Sequence, residues 1–107
     1  MDFLIKRGDR REPIERVLRG SDGNPVDLTG ASVRFIMKTL EGVVKVDAGA
    51  TIVGTPSAGR VRYSWGATDT DTAGPFRAEF EVTFGDGTKQ TFPNKDFIAV
   101  LVVEDLG

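Results

Sequence analysis

The feature that most constrains the fold is the alternation across Phe76–Phe84. Phe76, Ala78, Phe80, Val82 and Phe84 share one parity, and Arg77, Glu79, Glu81 and Thr83 share the other. Successive side chains of a β-strand point to opposite faces, so this segment reads as a strand with one dry and one wet face. The turn Asp69-Thr70-Asp71-Thr72-Ala73-Gly74 leads into it.

Turn signals recur along the rest of the chain. They are Gly8-Asp9, Ser21–Pro25, Thr29-Gly30, Glu41-Gly42, Thr55–Gly59, Ala73–Pro75, Gly85-Asp86-Gly87 and Pro93–Asp96. Gly supplies positive φ, Pro presets φ, and Asn and Asp bond their own backbone. Between the turns lie short β-rich runs at Phe3–Arg7, Ile14–Arg19, Ser32–Thr39, Arg60–Trp65, Thr88–Phe92 and Phe97–Val103. Val43–Ala48 and Thr51–Val53 are weaker. Thr88–Phe92 forms a hairpin with Phe76–Phe84, and Asp69–Ala73 reads as a short helical turn. Short strands at this spacing predict an all-β sandwich or barrel. Parity assigns the core to Phe3, Ile5, Ile14, Leu18, Val33, Phe35, Met37, Ile52, Val61, Tyr63, Trp65, Phe76, Phe80, Val82, Phe84, Phe97, Ala99 and Leu101.

At 107 residues the chain fits one domain, residues 1–107, which at this length buries roughly 60–70% of the surface exposed by the unfolded chain. It has neither Cys nor His. Disulfides and thiolate metal sites are excluded, and with His go the commonest general base and transition-metal ligand. No apolar run approaches the ~20 residues of a membrane span, and Met1–Arg7 lacks the order of a signal peptide, so manufacture in a cytoplasm without export is expected. The net charge of −2 is unevenly placed. Residues 1–20 carry six basic and four acidic side chains, residues 64–107 three basic and eight acidic. Opposite ends of opposite sign suit head-to-tail contact with a second copy or a polar partner.

No catalytic or cofactor pattern emerges. Ser57 lacks a base, and Glu79 and Glu81, two apart on a wet strand face, read as a solvated pair bridged to a neighbouring strand through Arg60 and Arg62. Asp69–Gly74 opens like a calcium loop but places Ala73 fifth and Phe80 twelfth, so it reads as a turn whose side chains cap backbone amides. Gly85–Gln90 opens no helix and reads as a hairpin turn rather than a nucleotide loop. The basic residues near the N-terminus are interleaved with acids, so neither a nucleic acid nor a membrane is expected as a partner. Arg7-Gly8-Asp9 reads as a strand end and turn.

Phe97–Val103 breaks the alternation, being apolar on both parities. It lies between two covered faces or turns one face to another subunit. The first choice for a partner face is Ile98, Val100 and Val102, with the basic surface of Arg7, Arg10 and Arg11.

Asp71–Ala78 resembles the corner signature that leads into strand F of immunoglobulin domains, with Phe76 in place of the corner Tyr and Ala78 in place of the Cys. Over nearly the whole chain the sequence resembles the immunoglobulin-like N-terminal domain of phage baseplate upper proteins. The matching segments are Phe3–Asp9, Pro25–Phe35, Gly59–Trp65, Asp69–Glu81 and Thr91–Pro93. The resemblance implies an immunoglobulin-like antiparallel β-sandwich of about seven to nine short strands. It implies a virion structural protein that attaches to or decorates a phage tail, baseplate, neck or capsid by protein–protein contact. Other virion proteins and further copies of the chain are its expected partners, with no cofactor and no enzyme activity. In that family the domain opens a longer host-binding subunit. This chain ends at Asp105-Leu106-Gly107, which leaves the attachment role. The alternative is a carbohydrate- or receptor-binding module, which would need exposed aromatics; Tyr63 and Trp65 have the inward parity.

Overall fold

In a computed structural model, residues 2–106 are described. Eight strands form a nearly closed, barrel-like sheet. They are β1 (Phe3–Lys6), β2 (Ile14–Val17), β3 (Ser32–Thr39), β4 (Val44–Ile52), β5 (Arg60–Tyr63), β6 (Gly74–Thr83), β7 (Lys89–Phe92) and β8 (Ile98–Val103). The order around the sheet is β1-β8-β6-β3-β4-β5-β2. Pairing is antiparallel throughout, except that β1 runs parallel to β8.

The strand with the clearest alternation, β6, is the central one. One edge pairs with β3 from Phe76 to Thr83. The other is shared, β8 taking Gly74–Ala78 and β7 taking Phe80–Thr83. Its inward residues Phe76, Ala78, Phe80 and Val82 are all buried. The two weak runs over residues 43–53 are one strand, β4. Its first part pairs with β3, and Thr51-Ile52 pairs with β5. The Ala48-Gly49-Ala50 stretch, with no bulky side chain, lies where the strand passes from one neighbour to the other. The register of β3 with β4 shifts at Met37/Lys38, so Met37 faces Val46 while Lys38 faces Val44. This bulge leaves Val44 on the outward face beside Lys38.

Side chains bridge the seam between β1 and β2. The Arg16 guanidinium on β2 donates to the Asp2 carbonyl beside β1 at 3.0 Å. Trp65, whose ring packs on Phe3 of β1, donates its indole N–H to the Glu12 carbonyl ahead of β2 at 2.9 Å. The expected helical turn at Asp69–Ala73 is a run of non-helical turns. Among the described residues the one helical turn is a 3-10 turn at Pro56–Ala58.

The last strand corrects the parity assignment. Ile98, Val100 and Val102 point inward, Val100 being only 2% exposed. Ala99, Leu101 and Val103 point outward and are half-buried, and Phe97 is 38% exposed. A strand apolar on both parities carries no contrast of its own, so its neighbours decide. Val100 lies level with inward Phe76, and Val102 with inward Ile5. Phe3, Ile52 and Phe84 pack against the core without being fully buried, while Leu28, Val46, Ala78 and Phe92 join it.

Gly59 fixes the approach of the 3-10 turn to β2. Its φ is +70°, and a Cβ there would lie 2.9 Å from the Leu18 carbonyl and 3.0 Å from the Val26 carbonyl. Gly59→Ala is expected to lower stability by about 2 kcal/mol or more, read by denaturant unfolding. Val100→Asp should cost at least about 3 kcal/mol, whereas Leu101→Asp, one residue away, should cost about 1 kcal/mol or less. Equal costs would show that the β8 parity is wrong.

Candidate interaction surface

The outward face of β1, β8 and β6 carries the main apolar exposure. Leu4 lies level with Leu101, and Leu101 level with Pro75, so the three form one row across three strands. Leu4 is 54% exposed. Along β8 the row meets a stripe of Phe97, Ala99, Leu101 and Val103. Beyond β6 and β3 the β3–β4 hairpin adds exposed Leu40, Val43 and Val44. Ile98, Val100 and Val102, expected as a partner face, are instead in the core, and the outward parity of the same strand is Phe97, Ala99, Leu101 and Val103.

The three arginines of the expected basic surface have different fates. Arg7 pairs with Glu104 at 3.2 Å and with Asp105 at 3.9 Å, tying the end of β1 to the end of β8. Arg10 donates to the Trp65 carbonyl at 3.3 Å. Arg11 is exposed and has no ion-pair partner among the described residues. Arg10 and Arg11 flank an open groove of about 660 Å³ along β1, beside Leu4, Lys6 and Val103. Asp9 and Glu12 share its wall, so the groove is nearly balanced in charge.

Glu79 and Glu81 face Ile36 and Arg34 across β3. The bridging expected from Arg60 and Arg62 does not occur, because both sit on β5 at the far end of the sheet, where Arg62 pairs with Glu15 at 2.8 Å. Arg34 is held by Asp47 at 2.7 Å. Lys38 and Arg77 lie directly opposite each other on the outward face. Sequence reading missed this pair: the two are 39 positions apart in sequence, and only the β3–β6 register makes them neighbours.

The Asp69–Gly74 loop braces the molecule from within. Asp69 accepts hydrogen bonds from the Tyr63 hydroxyl and, at 2.6 Å, from the Gly66 amide. The buried Thr70 hydroxyl donates to the Asp9 carbonyl at 2.9 Å. Lys45 pairs with Asp71 at 2.5 Å, and that cation and Thr72 hold the Asp71 carboxyl below its ordinary range. Among the described residues no group of His, Cys, Asp and Glu is placed to hold a metal ion. Tyr63 and Trp65 are buried, Trp65 to 3% exposure, and offer no stacking platform for a sugar.

Burial first, then the hydrogen bond and negative charge of Asp69, push the Tyr63 hydroxyl well above the ordinary tyrosine value. The sign follows from linkage: in the unfolded chain this group ionises near about pH 10, while the folded chain holds its proton. Its contribution is complete below that pH and declines as pH rises further. Tyr63→Phe is expected to lower stability by about 1–3 kcal/mol at neutral pH, and to flatten the alkaline limb of the pH–stability curve measured by thermal melting.

A nearly closed all-β sheet of eight strands with apolar side chains on part of its outer face defines the class: a small all-β domain. The crystal structure of CopC from Methylosinus trichosporium OB3b shares this fold at a TM-score of 0.57 and 12% identity, over 99% of this chain and 87% of that one. No curated relative matches the chain. The model of the BppU N-terminal domain family matches residues 20–104, so the chain belongs to that family, the N-terminal domain of phage baseplate upper proteins.

Proposed function

We propose that the chain is a structural attachment domain of the phage baseplate, holding neighbouring virion proteins by protein–protein contact, with no catalysis and no cofactor. The observation that carries this is the in-register row Leu4–Leu101–Pro75, facing outward across three adjacent strands with Leu4 and Pro75 exposed and Leu101 half-buried between them. Contiguous outward apolar surface of this kind marks a contact surface. Family membership supports the baseplate, and so the virion, as its location. The finer reading of the fold is an immunoglobulin-like sandwich. It is supported by the parallel pairing of first and last strands and by a central β6 that follows the Asp71–Gly74 corner. The contact surface leaves several copies free to sit side by side in one assembly.

The test uses phage particles assembled without the chain. Purified chain added to them should co-sediment. Leu4→Asp and Leu101→Asp should each weaken that binding by about tenfold or more while melting close to wild type. Failure of the wild-type chain to bind would sink the attachment role, and full binding by both variants would move the contact off this face.

A further inference from the structure

Four exposed or half-exposed cations of the described chain have a carboxylate within ion-pair distance: Arg7, Arg34, Lys45 and Arg62. The other ten Lys and Arg have none among the described residues, and of these only Lys38 and Arg77, toward the β3–β4 hairpin end of the outward face, lie directly opposite each other across β3 and β6. Like charges directly opposite on a sheet repel, and this position could have carried an opposite pair. Arg77 is further held in place, its guanidinium lying 4.7 Å from the centre of the Phe97 ring. Apolar side chains flank the two cations. Ala99 is level with Arg77 on one side, and Val44 is level with Lys38 on the other. Two acids, Glu79, two residues along β6, and Asp96, beside Phe97, line the same shallow hollow as the cations. Neither closes an ion pair with the cations.

We propose that Lys38 and Arg77 form a carboxylate-receiving site for another virion protein, whose contact surface sets an Asp or Glu side chain between apolar groups. The carboxylate would lie between the two cations, which converts a repulsive pair into a bridged one on binding. This selects an acidic partner and rejects a basic one. A second copy of this chain is the poorer occupant. A two-fold contact centred on this patch would oppose cation to cation. The inference rests on the attachment reading above and names the chemistry of the partner that this face takes.

Lys38→Glu separates the site from the fold. It turns the facing pair into an internal ion pair with Arg77, so the isolated variant should melt at or above the wild-type temperature. Its binding to particles assembled without the chain should nevertheless fall by about tenfold or more. Wild-type binding should weaken as salt rises, and that dependence should be shallower in Lys38→Gln. In phage carrying Lys38→Glu, second-site revertants should place Lys or Arg at an acidic position of another virion protein. Wild-type binding with undiminished binding by Lys38→Glu overturns this inference and leaves the attachment role intact. A drop in the melting temperature of Lys38→Glu, or revertants at Glu79 or Glu81 of this same chain, overturns it in favour of a structural or self-contact role. Failure of the wild-type chain to bind overturns both.

Discussion

The ring of Phe35 holds the layers of this molecule together. It stacks on Tyr63 at 4.6 Å, meets Phe80 at 5.1 Å and takes the edge of Trp65 at 5.7 Å. Trp65 passes the contact on to Phe3 at 5.7 Å. One buried side chain on β3 thus touches the central strand β6, the end of β5 and, through Trp65, the first strand. Aromatic groups bury the most area per residue, and their pairs add specific geometry to that burial. The polar ends of this cluster are satisfied as well, since the Tyr63 hydroxyl finds Asp69 and the Trp65 indole finds Glu12. The cluster adds to the closure of the sheet at the seam where, among the described residues, no strand ladder joins β1 to β2.

Much of that arrangement was legible in the order of residues. The alternation of Phe76–Thr83 located the central strand, and Val33, Phe35 and Met37 located its partner. Both signals are strong because each strand has one fully dry face. Legibility failed where contrast failed. Ile98–Val103 is apolar on both sides, so its orientation depends on Phe76 and Ile5, which reach it only through pairing. Residues 43–53 looked like two fragments because Gly49 and Ala50 between them bring no bulky side chain to the pattern, yet both belong to one continuous strand. Leu28 sits in a turn with no periodicity to mark it, although its side chain is fully buried.

The outer face was half legible. A doubly apolar last strand was visible in the sequence, but the parity taken as its free face, Ile98, Val100 and Val102, is the buried one. The arginine cluster near the N-terminus was visible too, yet Arg7 is occupied by the chain's own Glu104 and Asp105, and the groove beside Arg10 and Arg11 is nearly neutral. Lys38 and Arg77 were read only as wet-face residues of two separate strands. Their significance lies in mutual position, which depends on a register set by Phe35 and Phe80 facing each other in the core.

The parallel pairing of β1 with β8 has a mechanical consequence. Because the two strands run the same way, the start of β1 lies beside the start of β8, and Lys6 lies beside Val103 at the other end. Tension applied between Asp2 and Val103 would therefore slide the strands past each other along their length. The hydrogen bonds of a parallel pair are evenly spaced, so under shear they bear the load together instead of opening one at a time like a zipper. With Arg7 clasping Glu104 and Asp105 at one end of this pair, the two strands resist being drawn apart along their own length.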